Sequence, residues 1–453
     1  MIPSLTTILQ RFTTAWAALL QPEAILAACG EVGYIAWRHR VLTPVTTMPL
    51  FLLQILQGNT ARSHLPHWSG LRFSAAAYCQ ARATLPLRLF TLILEHFGTA
   101  GQRSALDDGR WRGHRPFLVD GSGCSMPDTP ALQEAFGQPT EQRPGCGFPV
   151  AHLRGLFHAG PGVLLKRVVA PLLTHDLAQV QQVHPMVAPG DGLVADRGLC
   201  SYAHLALLIQ AGVHAVLRVG ARQMVDCTPG RPFVRPSVRR TSAVKGVPRS
   251  RWRKALGVHD QLVAWLKPTT WPSWRTRQAL AALPDSLVRR EVRYHVGTPG
   301  FRTRQITLVT TLRDGETYQV ADRAELYHQR WRVETSRAQL KTSMQMDGLH
   351  CKTVPGVLTE LIVFAIVYNL AHMVMCPSAT LQHLGVERIS VLDALRWLGA
   401  LRPGMPLMAL MVNPARPHRV EPRVKKRRPK SFPLMITPRQ ELRQQLIQQA
   451  LNG

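Results

Sequence analysis

The stretch GLVADRGLCSYAHLALLIQAGVHAVLRVG, residues 192–220, changes its apolar pattern twice. It opens with a short apolar run that stops at Asp196, which is typical of a buried strand. The segment SYAHLALLIQAG has the length and composition of a helix, and Gly212 ends it. VHAVLRVG then predicts a second strand. A strand, a helix and a strand in close succession favour a sheet covered by helices.

Three more apolar runs precede that stretch, separated by Gly and Pro: RPFLVDGSGCS (115–125), GFPVAHLRGLFHA (147–159) and GVLLKRVVAPL (162–172). They predict three strands with hairpin turns, and AQVQQVHPMV (178–187) predicts a helix before the next strand. The predicted order of elements is therefore βββαβαβ. This is the ribonuclease-H-like order, so we expect an α/β fold with a ribonuclease-H-like mixed sheet flanked by helices.

The chain carries 55 Lys and Arg against 27 Asp and Glu, a net charge of +28. Such an excess repels itself unless a polyanion is the working partner, which indicates nucleic acid; a basic membrane-surface or ribosomal protein is the alternative. Eight cysteines without a CxxC pair indicate reduced thiols. The N-terminus lacks an export signal, and the apolar stretch 357–375 contains Glu360, Asn369 and His372. We therefore expect a buried core helix, no membrane contact and a cytoplasmic location.

Changes in pattern divide the remainder of the chain. The first hundred residues read as helices, with Pro22 in a first turn, Ser74 as a cap and Gly98 as a stop signal. Residues 231–254 hold nine Lys or Arg and no acid, next to strand-like pieces, and RQITLVTTL resumes the core. We expect a helical N-terminal DNA-binding domain (1–105), the first part of the catalytic core (106–220), an inserted basic β subdomain (221–300), the second part of the core (301–375), and a C-terminal basic arm with a dimerisation and DNA-contact region (376–453).

Two aspartates close predicted strands: Asp120 ends FLVD and Asp196 ends LVAD. In a ribonuclease-H-like order these strands are neighbours, so the two carboxylates should face each other and need a cation between them. Mg²⁺ suits that position because it binds one or two carboxylates together with substrate phosphates. Each aspartate alone is more often a turn or cap residue, and three other aspartates near strand ends remain alternatives: Asp128, Asp176 and Asp191.

The segment YHQRWRVETSRAQLK, residues 327–341, carries a lone carboxylate among cations. At about 100° per residue, Tyr327, Arg330, Glu334 and Lys341 fall at roughly 0°, 300°, 340° and 320°, one narrow stripe of a helix. This stripe could be an ordinary ladder of ion pairs. Alternatively, Glu334 is a third metal ligand beside Asp120 and Asp196, and its neighbours grip phosphates.

The spacing Y-x2-R-x3-E-x6-K of these four residues resembles the signature of the DDE transposases of bacterial insertion sequences, the YREK group. VDGS around Asp120 and ADRGLCSYAHL around Asp196 resemble the other two catalytic segments of that group. The resemblance covers roughly residues 74–440.

The resemblance implies a cut-and-paste transposase. Such an enzyme binds terminal inverted repeats as a homodimer in a paired-end complex, cleaves the DNA with Mg²⁺ or Mn²⁺, two ions per site, and joins the ends to target DNA. Asp120, Asp196 and Glu334 would be the catalytic and metal-binding residues. Tyr327, Arg330 and Lys341 would hold phosphates near the cut. Ile306 stands where a relative has a base-stacking tryptophan, which leaves as candidates Trp252, Trp265, Trp271 and Trp274.

Further DNA contacts are expected from cations elsewhere. Arg82 lies on a short polar helix that suits a DNA major groove, although packing in a helical bundle is an equal alternative. The complete set of additional candidates is Arg337, Arg82, Arg239, Arg240, Lys425, Lys426, Arg427 and Arg428. The rival functions are a catalytically silent DNA-binding regulator, a ribonuclease-H-like nuclease without strand transfer, and a structural RNA-binding protein.

Overall fold

The computed structural model describes residues 17–104, 110–220, 223–233, 250–269, 276–296, 305–400, 408–414 and 435–452, together with Pro248 and Trp274. The strands are β1 (Pro116–Ser125), β2 (Val150–His158), β3 (Leu164–Pro171), β4 (Gly192–Ala195), β5 (His214–Arg218), β6 (Ser250–Gly257), β7 (Asp260–Leu266), β8 (Ser286–His295) and β9 (Gln305–Thr310).

The helices of the first half are α1 (Pro22–Glu31), α2 (Pro44–Leu56), α3 (Leu65–Ser69), α4 (Ala75–Thr84), α5 (Leu87–Ser104), α6 (Pro130–Phe136), α7 (Asp176–Val180) and α8 (Tyr202–Gln210). Those of the second half are α9 (Arg277–Ala281), α10 (Val320–Gln329), α11 (Trp331–Ala338), α12 (Val354–Leu381), α13 (Val391–Ala400) and α14 (Arg439–Asn452). Pro22 begins α1, the Ser74 hydroxyl caps α4, and Gly212 has a φ of 68° after α8, as the sequence predicted.

The strands form one nine-stranded sheet in the order β3-β2-β1-β4-β5-β9-β8-β7-β6. β1 pairs antiparallel with β2 and parallel with β4, and β4 pairs parallel with β5. Three antiparallel strands followed by two parallel ones form the predicted core, but α6 stands between β1 and β2, so the hairpin turn predicted there was wrong. The ribonuclease-H-like mixed sheet is therefore confirmed.

The inserted strands extend this same sheet. β9 pairs antiparallel with β5, and β8, β7 and β6 continue outward from it. A buried charge cluster ties the extension to the helix that follows: Asp260 of β7 pairs with Arg290 of β8, with 2.6 Å between Oδ1 and Nε. Arg323 of α10 approaches the same carboxylate at 3.8 Å and is fully buried. The insertion thus positions α10 directly.

The N-terminal helices share one hydrophobic core with the sheet, since α5 packs on β3 and on α12. Gly98 does not end α5, which continues to Ser104; the prediction of a stop there was wrong. A Cβ at Gly98 would lie 3.3 Å from the carbonyl oxygen of Leu165. Close approach of the helix to β3 is the reason for this glycine.

The long apolar helix α12 is the predicted core helix. It is long and apolar enough to cross a membrane, but 89% of its most apolar window is buried inside the protein. Its polar side chains bind other segments: Glu360 accepts hydrogen bonds from Asn59 Nδ2 (2.8 Å) and from the Cys351 amide (2.9 Å), and Asn369 pairs with both backbone groups of Leu164. Glu360 and Asn369 therefore have structural partners.

Three further predictions of local structure need correction. Residues 178–187 are not one helix: α7 ends at Val180 and a 3₁₀ turn, Gln181–Met186, follows, because Pro185 has no amide hydrogen to continue an α-helix. The segment 327–341 is not one regular helix either; α10 and α11 meet at Arg330, and a π-helical turn, Gln339–Ser343, follows. α12 also runs through the expected boundary at 375/376.

We predict that the free energy of unfolding decreases as the pH is lowered, because three buried histidines are held neutral in the folded protein. Burial lowers the pKa of His158 and His372 to about 4 and that of His204 to about 3, against an ordinary value of 6.5. Below the ordinary value the unfolded chain binds protons that the folded chain does not, so each histidine removes up to about 1.4 kcal/mol per pH unit. Urea unfolding between about pH 7 and 4.5 measures this.

The matched variant is His372→Asn, which keeps a donor near the carbonyl oxygen of Pro161 (2.8 Å in the wild type) but does not titrate. It should lose stability more gradually on acidification than the wild type does. Equal slopes for the two proteins would contradict the assignment.

Candidate active site

Asp120 lies within β1, which continues to Ser125, so the prediction that Asp120 ends its strand was wrong; Asp196 directly follows the last residue of β4. Val119 of β1 is in register with Ala195 of β4, and the two strands are parallel, so the next residue of each strand is one of the two aspartates. Neighbouring strands lie about 4.8 Å apart. The predicted juxtaposition of these carboxylates is therefore present, and the strand register produces it.

The third predicted residue, Glu334, lies on α11, which packs against β1. Its side chain is 44% exposed, and its Oε1 lies 3.4 Å from Nη2 of Arg330. This ion pair is the i,i+4 contact that the sequence offered as the ordinary alternative. The contact does not decide between the two readings, because a metal ligand also needs nearby positive charge to stay ionised.

Arg330 is the electrostatic centre of the site. It stands where α10 passes into α11 and is only 4% exposed. Burial alone would lower its pKa, but the charges of Tyr327, Asp196, Asp120 and Glu334 outweigh burial and raise it. The guanidinium therefore interacts electrostatically with all three candidate carboxylates, and its Nη2 lies 3.4 Å from Glu334 Oε1.

The donor chemistry of the two aspartates suits a hard divalent cation. Asp196 Oδ1 is buried without a hydrogen-bond partner among the described residues, which is unusual for a carboxylate oxygen. Asp120 uses Oδ1 to accept the Gly121 amide (2.8 Å). However, nowhere in the described ranges do three or more Asp, Glu, His or Cys side chains form a cluster that could hold a metal. The expected gathering of Glu334 with the two aspartates into one coordination set is thus not seen.

Two further predicted cations lie beside Asp120. Arg337 Nη1 is 3.0 Å from Asp120 Oδ2, and both residues line a cavity of about 30 Å³ together with Lys341. Lys341 also lies 3.7 Å from the exposed carboxylate of Asp347. The structure therefore brings Arg337 and Lys341 to the catalytic edge, where each is partly exposed.

Tyr327 is placed differently from the expectation of a phosphate contact. It is 1% exposed, and the guanidinium of Arg330 lies 5.6 Å from its ring centroid. Burial raises the pKa of Tyr327 to about 12 despite the opposing effect of Arg330, so the phenol stays neutral. The ring of Tyr327 therefore packs against Arg330 on the side that faces the core.

A cluster that the sequence did not single out lies between the two aspartate segments. Asp176 Oδ1 accepts a hydrogen bond from Arg154 Nη2 (2.7 Å) and lies 3.4 Å from His152 Nε2. Both catalytic segments leave room for this cluster with a glycine: a Cβ at Gly121 would lie 2.9 Å from His152 Nε2, and one at Gly198 would lie 3.0 Å from Asp176 Oδ2. The glycines that follow Asp120 and Asp196 were the available sequence signal.

The other candidate carboxylates are engaged elsewhere. Asp191 makes a two-point ion pair with Arg115 (2.7 and 2.9 Å) at the opposite end of β1 and β4. Asp128 pairs with Arg439 (2.8 Å) at the start of α14. Neither of these two carboxylates lies next to Asp120 or Asp196, whereas the third alternative, Asp176, belongs to the cluster beside them.

Arg82 is turned inward. Its guanidinium donates to Gln54 Oε1 (3.1 Å) and to Cys351 Sγ (3.1 Å) and lies 4.3 Å from the ring centroid of Phe51. These contacts favour the packing alternative for α4. Four tryptophans were predicted as candidates for stacking on a base. Trp265 is buried and donates a hydrogen bond to Glu291 (2.7 Å), and Trp252 and Trp274 are half-buried. Trp271 lies outside the described residues. Also outside them are Arg239, Arg240, Lys425, Lys426, Arg427 and Arg428.

The family model of the transposase DDE domain matches residues 111–370, more than half of the chain. The chain belongs to the DDE transposase family. The matched range begins just before β1 and ends inside α12, so it contains Asp120, Asp196 and Glu334 in this order. No curated protein matches this transposase.

Among solved structures, the transposase is similar to a piggyBac transposase determined by cryo-EM as a synaptic complex with hairpin DNA. The identity is 10% and the TM-score 0.41, over 88% of this chain and 80% of that chain.

We predict that Arg330 and Asp196 are energetically coupled. Arg330→Met should destabilise the protein because it removes a buried cation that interacts with these carboxylates, and the loss should be smaller in an Asp196→Asn background. We expect a coupling free energy of about 0.5–3 kcal/mol from urea unfolding of the two single variants and the double variant.

The matched control is Arg332→Met, on the same helix, whose side chain is 37% exposed and lies 3.5 Å from Glu387. It should change stability by about 1 kcal/mol or less and show no coupling to Asp196→Asn. Strictly additive effects of Arg330→Met and Asp196→Asn would disprove the arrangement of charges described above.

Proposed function

We propose that this DDE transposase binds the terminal inverted repeats of a bacterial insertion sequence of the YREK group, cleaves the DNA beside them and joins the ends to a target. The observation that carries the proposal is the register of β1 and β4, which brings Asp120 and Asp196 together next to Arg330. Two ordered carboxylates at one strand edge, with a helix carboxylate nearby, are what metal-dependent phosphoryl transfer requires.

Asp120 and Asp196, with Glu334 as the third member, would hold Mg²⁺ or Mn²⁺, two ions per site. When bound, the metal supplies charge neutralisation at the phosphate and activation of the attacking oxygen. The protein supplies position. Arg337 and Lys341 lie at the mouth of the site and would bind the phosphates that flank the cut. Arg330, supported by Tyr327, would offset part of the negative charge of these carboxylates.

The N-terminal helices offer a surface for DNA. Residues 32–94 contain six arginines and no Asp or Glu. The loop between α1 and α2 carries Arg38 and Arg40, both exposed, on either side of His39. The rings of Tyr34 and Trp37 stack at 5.8 Å within the same loop. Exposed arginines next to aromatic rings are typical of nucleic-acid contacts, so we assign the end-binding role of this domain to this loop.

The insertion offers a second basic surface. β6 is the outermost strand of the sheet, and its exposed cations are Arg251, Arg253 and Lys254. The basic run 231–254, which includes Arg239 and Arg240, leads into this strand. Charges along an edge strand prevent sheet-to-sheet association and also attract a polyanion, which supports an additional DNA contact here.

A homodimer that pairs two ends is part of the proposal, as is a cytoplasmic location. The C-terminal helix α14 supports self-association. Its apolar side chains are exposed, Leu446 to 64% and Leu451 to 80%, on a helix that begins at the Asp128–Arg439 ion pair. Apolar side chains exposed in a row are typical of protein interfaces.

We predict that Asp120→Ala, Asp196→Ala and Glu334→Ala each abolish cleavage and leave binding to inverted-repeat DNA close to wild type. The carboxylates serve the chemistry, whereas the basic surfaces serve binding. Cleavage of an end-labelled inverted-repeat duplex in Mg²⁺ is measured beside a gel-shift titration. If Glu334→Ala cleaves DNA at the wild-type rate, the assignment of Glu334 to the active site is wrong.

A target plasmid added to the same reaction separates transposition from simple cleavage. Joined products support the transposase proposal. Cut ends without joined products would instead identify a nuclease, and tight binding without any cut would identify a silent DNA-binding regulator.

We also predict a steep salt dependence, of which the loop between α1 and α2 carries part. Each phosphate contact adds about −0.9 to the slope of log affinity against log salt, so Arg38→Ala with Arg40→Ala should reduce the slope by up to about 1.8. Arg82→Gln is the matched control, since Arg82 contacts Gln54 and Cys351 in the interior. If Arg82→Gln reduces the slope and the loop variant does not, the DNA contact lies on α4 and not in the loop.

A further inference from the structure

The cluster of His152, Arg154 and Asp176 lies beneath both catalytic aspartates. Arg154 faces Gly121 in the β1–β2 pairing, one residue from Asp120, and it is 3% exposed. Asp176 is on the next helix, α7, and its second oxygen lies against Gly198, two residues from Asp196. The carboxylate of Asp176, which is 39% exposed, therefore lies close to the segment after Asp120, through Arg154, and to the segment after Asp196, at Gly198.

We propose that Asp176 is a positioning residue for metal binding, which acts by holding Arg154 away from Asp120. The inference rests on the proposed metal-dependent cleavage. Arg154 Nη2 has Asp176 Oδ1 as its close partner at 2.7 Å, and Asp120 is near enough to influence the Arg154 charge. Asp176 and Asp120 are thus two carboxylates that one buried guanidinium can reach.

The consequence of losing Asp176 follows from this competition. A buried arginine without a counter-charge is costly, so Arg154 would turn to the remaining carboxylate, Asp120. Asp120 already pairs with Arg337 through Oδ2 (3.0 Å) and accepts the Gly121 amide through Oδ1. A second arginine on this carboxylate would compete with any cation that binds there. Burial also works against the charge of Arg154, which makes its need for a partner stronger.

The test uses the full chain and Mn²⁺ as the probe, with binding followed by titration calorimetry without DNA. Asp176→Asn keeps the shape of the side chain and removes its charge. We expect Mn²⁺ affinity to fall about 10-fold, as is usual when an outer partner of a metal site is lost. The Mn²⁺ concentration for half-maximal cleavage should rise by the same factor, while the maximal rate at saturating Mn²⁺ stays near wild type.

A second variant separates positioning from simple damage. In the double variant Asp176→Asn with Arg154→Gln, the freed guanidinium is absent, so Mn²⁺ affinity should recover at least in part. The matched control is Asp191→Asn, which removes an ion pair to Arg115 at the ends of β1 and β4 that lie away from Asp120 and Asp196. It should lower the thermal midpoint and leave Mn²⁺ affinity unchanged.

Unchanged Mn²⁺ affinity in a folded Asp176→Asn protein would overturn the inference even if the wild type cleaves DNA. The inference is also overturned if the double variant folds and binds Mn²⁺ no better than Asp176→Asn. If the wild type neither binds Mn²⁺ nor cleaves, the proposed function fails and the inference fails with it. If Arg154→Gln prevents folding, the Mn²⁺ affinity of Asp176→Asn alone decides whether the inference stands.

Discussion

The constraint on which the site depends is the repulsion between carboxylates that the fold places side by side. Parallel pairing of β1 and β4 puts Asp120 next to Asp196, and α11 adds Glu334 to the same neighbourhood. Two arginines that are themselves buried or half-buried offset this repulsion: Arg330 interacts electrostatically with all three carboxylates, and Arg337 pairs with Asp120. Buried charges persist only with such partners. The cations of this site are therefore as necessary as the acids.

The sheet explains how distant segments reach that point. Between Asp196 and Glu334 the chain leaves β5, builds β6 to β8, and returns through β9 beside β5. Because the inserted strands extend the core sheet, the entry to α10 is fixed on both sides, by β9 and by the buried Asp260–Arg290–Arg323 cluster. The insertion thus contributes to the geometry of Arg330 and Glu334. Its basic outer strand remains available for a polyanion.

Much of this could be predicted from the sequence, and the failures have physical causes. Apolar runs ending in Asp120 and Asp196 predicted the strands and their adjacency, because strand period and order are local signals. The segment that carries Tyr327, Arg330, Glu334 and Lys341 is helical, as predicted. The predicted angles around a single helix were wrong, because the joint at Arg330 and the π-helical turn after Ala338 change them. The role of Asp176 could not be predicted, because its partners Arg154 and Gly198 come from other segments. Gly98 misled for a similar reason: its neighbour is Leu165 of another element.

The same reasoning limits what net charge can say about a partner. An excess of +28 counts every arginine equally, yet Arg289, Arg290 and Arg323 are almost completely buried. Arg289 lies 4.4 Å from the ring centroid of Trp265 and cannot reach a phosphate from there, just as Arg82 cannot. Buried cations of this kind act on carboxylates, rings and backbone carbonyls; because they neutralise no phosphate, they release none of the counter-ions that surround DNA. In the proposed function, the charge that contributes to DNA binding is the exposed part, at the α1–α2 loop, along β6 and beside Asp120. A chain of this composition therefore uses arginine for two separate purposes, and only the fold shows which residue serves which.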